Sequence, residues 1–192
     1  LHLLPTLWFR NDWAAWITES NRAAASPNLK QIKSAKGTSI VEATHSVLGK
    51  FILSCEGDVP LLFTENSTNY ERLFPGQPNV AKYVKDGINN CVVNGRQSEV
   101  NPEKQGTKAA AHYKLTVGAR ASAVVRLRLA RTPPQSPPYQ GGAGGVVSPG
   151  TAKGAAAPFG PEFDAIFASR LKEADEFYRS VTPPSVSADA AN

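Results

Sequence analysis

Chemistry in this chain would have to come from a few scattered groups. Asp58, Glu65 and Glu71 fall within one stretch around "LLFTENSTNYERLF", where two carboxylates could serve as acid and base. Closeness along a loop does not set the separation that glycoside hydrolysis needs, so on residue types alone these read as surface carboxylates. A second group is "LWFRNDWAAW", which gathers all three tryptophans, Trp8, Trp13 and Trp16, beside Arg10, Asn11 and Asp12. Flat aromatic faces with amides and charges nearby suit a sugar: rings meet its C–H side and polar groups meet its hydroxyls. Tryptophan also fills sandwich cores, and Trp8 is the one expected to be buried.

The remaining reactive types point to little. Cys55 and Cys91 lack a CxxC partner and read as reduced, buried thiols. His2, His45 and His112 show no ligand spacing, so neither a metal nor another cofactor is expected. There is no GxSxG elbow, no HExxH and no phosphate-cradling glycine loop leading into a helix. Asn66-Ser67-Thr68 fits a glycosylation sequon but carries little weight without a sign of secretion. The chain holds 21 Lys/Arg against 16 Asp/Glu, and 17 and 10 of these, respectively, lie in residues 1–131. The basic run Lys30, Lys33, Lys36 is interleaved with Gln and Ser rather than stacking aromatics, so it reads as a solvated face and not a nucleic-acid surface.

Three regions must position these groups. Residues 1–131 read as mostly strand. "TSIVEATH" (38–45) and "KFILSCE" (50–56) flank the turn "SVLG". Further on, Ala109, Ala111, Tyr113, Leu115 and Val117 alternate with Lys108, His112, Lys114 and Thr116, the pattern of a strand with one buried and one wet face. "SAVVRLRLAR" also alternates, with Ala123, Val125, Leu127 and Leu129 inward and Arg126 and Arg128 outward. Joined by "GARA", these two are expected to form a hairpin. A short helical turn is expected within "YVKDGINNCVVNG" (83–95).

Residues 132–160 form a linker or long loop. Seven of the fifteen prolines and seven of the fifteen glycines lie in 132–161, too little apolar surface to offset ordering, so mobility is expected. Residues 161–192 open with the clearest helix, 161–181. Pro161 suits its first position, Glu162 and Asp164 suit its first turn, and Phe163, Ile166, Phe167, Ala174, Phe177, Tyr178 and Val181 form one apolar stripe. The fold class expected is mainly β: an antiparallel β-sandwich with a long Pro/Gly-rich loop and a C-terminal amphipathic helix. With no methionine and a first residue inside an apolar run, the chain is expected to be a piece of something longer. No apolar run reaches the length of a membrane span and no signal peptide is visible, so a cytoplasmic protein without a membrane partner is expected.

Several motifs together resemble one family. "LHLLPTLWFRNDW", "FTENSTNYERLF", "YVKDGINNCVVNGR", "VNPEKQGTKAAAHY", "VVRLRLAR" and "FDAIFASRLKEADEFYRSVTPPSVSADAAN" stand in the order seen in bacterial glucosidase-like proteins of glycoside hydrolase family 63. The resemblance covers nearly the whole chain except the Pro/Gly-rich insert. The chain departs from the pattern at Cys91, where an aromatic is expected, and at "STN", where another acid is usual. The resemblance implies the later part of an N-terminal β-supersandwich domain, a linker helix and the start of an (α/α)6 barrel. It also implies a parent that is an inverting α-glycosidase acting on an oligosaccharide, with both catalytic carboxylates on the barrel.

No residue here inherits a catalytic role. Substrate-binding or domain-interface candidates are Trp8, Arg10, Asn11, Trp13, Glu65, Asn66 and Asn69, with "TENSTN" as a loop at the sandwich–barrel boundary. Two alternatives stand beside this reading: a stand-alone carbohydrate-binding sandwich without hydrolysis, and a basic scaffold for an acidic partner.

Overall fold

β-Branched and apolar runs separated by short turns dictate the centre of the molecule, and a computed structural model shows how they pair. It describes residues 1–10, 27–33, 36–132, 158–183 and 185–187. The chain divides into two units, Leu1–Tyr139 and Gln140–Asn192.

In the first unit the strands are β1 (His2–Leu3), β2 (Thr6–Trp8), β3 (Asn28–Ile32), β4 (Thr38–His45), β5 (Gly49–Glu56), β6 (Leu61–Thr64), β7 (Gln105–Gly106), β8 (Lys108–Ala111), β9 (Tyr113–Lys114) and β10 (Leu127–Arg131). Two short helices, α1 (Tyr70–Leu73) and α2 (Gly87–Asn94), lie between β6 and β7. β4 and β5 are the strands expected on either side of the "SVLG" turn, and they pair as a hairpin in register from Thr38↔Glu56 to His45↔Gly49. His45 Nδ1 accepts from the backbone N–H groups of Val47 and Leu48, and Gly49 supplies the positive φ (81°) that closes the loop.

Every pairing between the described strands is antiparallel. A five-stranded sheet has the order β10-β5-β4-β3-β7, a three-stranded sheet the order β2-β8-β6, and β1 pairs with β9. The core lies between the two larger sheets, in the manner of a β-sandwich. Leu29, Val41, Ala43 and Cys55 from one meet Leu61, Phe63, Ala109 and Ala111 from the other, with Tyr113 of β9. A second cluster covers the far face of the smaller sheet: Leu62 and Ala110 pack against Ile88 and Cys91 of α2 and against Val100.

That second layer corrects one expectation. Around β8 the expected wet face is closed, because Ala110 and His112 are buried as well as Ala109, Ala111 and Tyr113. Farther along, Lys114 and Thr116 are exposed as expected, and so is Val117, which was expected to face inward. β8 is the central strand of its sheet and is covered on both sides, so small residues occupy both faces. The expected hairpin between this segment and 122–131 is also overturned: β10 pairs with β5 instead, Leu127 opposite Cys55 and Arg131 opposite Phe51. Glu56 holds the start of β10 in place, its carboxylate accepting from the Arg126 backbone N–H (3.2 Å) and guanidinium (3.0 Å to Nε). Nor does alternation hold along 122–131, since Ala123 and Leu129 are exposed while Arg126 is half-buried.

The helical turn expected in 83–95 is α2, closed by Gly95 at φ 69°, whose N–H donates to the Asn90 carbonyl. Both cysteines are free and buried, and burial pushes the Cys55 thiol up to about 11.

The second unit contains α3 (Pro161–Val181), over the span the sequence predicts, with Pro161 in its first turn and Gly160 as N-cap. Phe159 meets Phe163 edge-on at 5.5 Å, and Arg170–Glu173 and Lys172–Glu176 pair along the surface. Its apolar stripe is otherwise exposed, Phe167 and Tyr178 by 65% and 64%. The linker expected to be mobile lies outside the described residues over 133–157.

Candidate functional site

The loop "TENSTN" follows β6 and sits on a corner of the fold. Between β7 and β8 the chain passes from the five-stranded sheet to the three-stranded one, and Thr107 is the residue at the crossing. Thr107 Oγ1 donates to Glu65 Oε2 at 2.6 Å and accepts from the Asn66 backbone N–H at 2.8 Å. Its carbonyl accepts from the Phe9 N–H at 2.9 Å, and Asn66 Nδ2 donates to the Phe9 carbonyl at 3.0 Å. Asn66, Thr107 and Phe9, from three distant parts of the chain, therefore close one ring of hydrogen bonds, and Glu65 joins it at the Thr107 hydroxyl. The opposite side of the loop is fixed too: Glu65 N–H donates to the Tyr83 carbonyl, Lys85 N–H to the Ser67 carbonyl and Lys85 Nζ to Thr68 Oγ1.

Hydrogen bonds to Phe9, Tyr83, Lys85 and Thr107 thus tie down Glu65, Asn66, Ser67 and Thr68, and the Glu65 carboxylate is spent on a structural contact. Asn66, the sequon asparagine, has its side-chain amide engaged with Phe9. Asp58 Oδ1 accepts from the Gly37 N–H, and Glu71 and Asn79 exchange backbone-to-side-chain hydrogen bonds. Asp58, Glu65 and Glu71 thus serve three separate local structures and do not converge as an acid/base pair.

The structure brings Glu65 and Asn66 to the segment carrying Trp8 and Arg10, which the sequence had offered only as two unrelated groups. Trp8 is not the core residue expected: it ends β2 with 55% of its surface exposed. β2 is an edge strand and its residues alternate, so Leu7 packs against the core while Trp8 faces away. Arg10 is exposed beside it. Asn11 and Trp13 lie outside the described residues. Lys108, next to the corner and opposite Trp8 in register, has its ammonium pKa lowered, chiefly by burial and then by the charge of Lys85, with Asp86 acting the other way.

Asn69 belongs to a different place. Its Oδ1 accepts from the Arg72 N–H to cap α1, and its Nδ2 donates to Asp86 at 3.0 Å. With Arg72, Asn90, Arg96 and Glu99 it lines a polar cleft of about 580 Å³ between α1 and α2. Thr107 is the residue that sequence reasoning missed. A threonine inside "GTKAAA" has no local signature, and only the sheet-to-sheet crossing gives it a role. Among the described residues no group of three or more His, Cys, Asp or Glu could hold a metal ion. Nor is any described helix long and apolar enough to cross a membrane.

Comparison with known proteins finds an uncharacterized protein of Saccharomyces cerevisiae (strain ATCC 204508 / S288c), YMR196W, 30% identical over 215 residues. The match takes in 100% of this chain but 18% of the relative, so the chain spans less than a fifth of that protein's length. No protein-family model and no solved structure matches the chain.

Proposed function

We propose that the chain is a non-catalytic sandwich segment of an inverting α-glucosidase-like glycoside hydrolase of family 63. In this reading it packs on a downstream (α/α)6 barrel of the same parent and lends its Trp8–Arg10 edge and "TENSTN" loop to the rim of an oligosaccharide site. The observation that carries the reading is the corner at Thr107: the loop carboxylate is fixed in a structural hydrogen bond while Trp8 and Arg10 stay exposed next to it. That is a contact surface, with the chemistry assigned elsewhere. Support comes also from the ordered motifs, the β-sandwich-like sheets, and the yeast relative, in which the matched region is a small part of a long chain. The parent is assigned to the cytoplasm, with no nucleic-acid or membrane partner.

The test is proton NMR of the intact parent protein acting on α-linked glucosides. The expected first product is the β-anomer of the free sugar, and Trp8→Ala with Arg10→Ala is expected to raise KM several-fold with kcat little changed. No hydrolysis of any α-glucoside by the intact parent would overturn the proposal.

A second reading is favoured by the exposure of Trp8 alone: a carbohydrate-binding sandwich that works without hydrolysis. It expects a glucan to quench the tryptophan fluorescence of the isolated chain and Trp8→Ala to remove most of that quenching.

A further inference from the structure

His2 and His112, 110 positions apart, meet with Nδ1 and Nε2 at 2.8 Å. Their ring centroids are 5.0 Å apart, farther than the two nitrogens by about two ring radii. Each nitrogen therefore sits on the line between the rings and points at the other, the alignment of an N–H···N hydrogen bond. Two nitrogens bound to one metal ion, each about 2.0–2.1 Å from it at a tetrahedral angle, would aim at a common point off that line and stand about 3.3 Å apart, farther than these two. The geometry selects a hydrogen bond over a ligand pair.

Such a bond needs a hydrogen on one nitrogen and a lone pair on the other. Two neutral imidazoles satisfy it, as does one neutral ring with one imidazolium. Two imidazolium rings cannot, because both facing nitrogens then carry hydrogens and both rings are positive. What the bond holds is slight: β1 pairs with β9 through two residue pairs, His2↔Lys114 and Leu3↔Tyr113. The flanking contacts are Leu115 N–H to the Leu1 carbonyl and Ala111 N–H to the Pro5 carbonyl.

We propose that the His2–His112 pair is an acid-sensitive clasp, in which protonation of both rings releases β1 from β9 and uncovers that strand edge. The charged surroundings agree. Burial disfavours a proton on His112 most, followed by the positive charge of His2 on β1 and then of Lys114 on β9, and all three lower its pKa. Just before β6 the Pro60 carbonyl accepts from the His112 backbone N–H and fixes that residue's main chain. Because the closed form resists the second proton, the clasp is closed above the ordinary histidine range and opens as pH falls through and below it.

The experiment is amide hydrogen exchange by NMR on the full 192-residue chain at about pH 7.5 and about pH 5, with rates corrected for intrinsic exchange. The expected result is that Leu115 and Ala111 lose protection roughly tenfold or more at the lower pH while Val41 in the core keeps its own. His2→Gln, on the exposed ring, is expected to leave Leu115 and Ala111 with one level of protection at both pH values. Unchanged protection of the wild-type Leu115 amide at about pH 5, or the same acid loss in His2→Gln, would overturn the clasp.

Discussion

Thr107 donates its hydroxyl hydrogen to Glu65 at 2.6 Å and accepts from the neighbouring Asn66 N–H at 2.8 Å, fastening the loop after β6 to the point where the chain changes sheets. Replacing Thr107 with Val keeps the shape and removes both bonds, leaving a half-buried amide and carboxylate without their partner. The expected cost is about 1–3 kcal/mol, read as a lower denaturant midpoint with an unchanged slope. Thr107→Ser keeps the hydroxyl and is expected to recover most of it. Equal midpoints for the valine and wild-type chains would remove Thr107 from this role.

Thr64 ends β6 with no exposed surface, and its Oγ1 has no hydrogen-bond partner. A buried hydroxyl without a partner opposes folding, so Thr64→Val is expected to stabilise the chain by about 1 kcal/mol. A urea titration decides it: a lower midpoint for the variant would mean that the hydroxyl is satisfied in solution.

Gly87 and Gly106 are held by close approach rather than by backbone angle. A Cβ at Gly87 would run into the Glu99 carbonyl, and one at Gly106 into the Thr64 carbonyl, both rigid backbone. Alanine at either site is expected to cost about 3 kcal/mol or more, since a strand or helix must move. Gly76 has open space around it but a φ of 82°, so Gly76→Ala is expected to cost only about 1 kcal/mol. Thermal melts of the three variants should therefore rank Gly76→Ala as the mildest, and the reverse order would contradict the packing.

Glu56 and Arg126 predict an acid limb to stability. Hydrogen bonding from the Arg126 side chain is the main reason the Glu56 carboxyl lies below its ordinary value, with burial opposing it. The folded form thus binds its proton more weakly than the unfolded chain. The pair's contribution is complete above the ordinary glutamate pKa and fades as pH falls through the lowered one. Both side chains are about a third exposed (35%), so solvent screens the pair and the effect is modest. Arg126→Ala should flatten the loss of melting temperature between about pH 5 and about pH 3; an identical profile would assign the acid limb to other carboxylates.

The stripe of α3 predicts self-association. Phe167 and Phe177 are exposed by 65% and 59% on one helix face. Glutamate at both positions is expected to shift the isolated chain toward monomer in sedimentation velocity while leaving the melt of the first unit unchanged. No shift toward monomer would mean that the face does not drive association.

Local signals made α3 and the β4–β5 hairpin legible. Pro161 and the three-to-four spacing from Phe163 to Val181 fix a helix within one stretch, and His45 to Gly49 close a turn between two β-branched runs. α2 was legible only as a helical turn. The two buried thiols were legible because cysteine without a partner is among the most buried residue types. By itself the sequence determined α3, the two strands flanking "SVLG" and a helical turn within 83–95, since periodicity and turn residues act over a few positions. It did not single out β3 or α1, and it carried its strands over 107–118 and 122–131 past the observed β8, β9 and β10.

Tertiary structure alone decided which segments meet. Alternation says that a strand has two faces but not which neighbour it pairs with, so β10 reached β5 rather than the strand next to it in sequence. Covering the smaller sheet with α2 buried Ala110, and edge placement turned Trp8 outward, though neither residue changed its local preference. The Thr107 corner and the His2–His112 bond belong to the same class. Each depends on backbone segments brought together from 41 or more positions apart, and hydrogen-bonding side chains carry no record of such partners in their immediate neighbours.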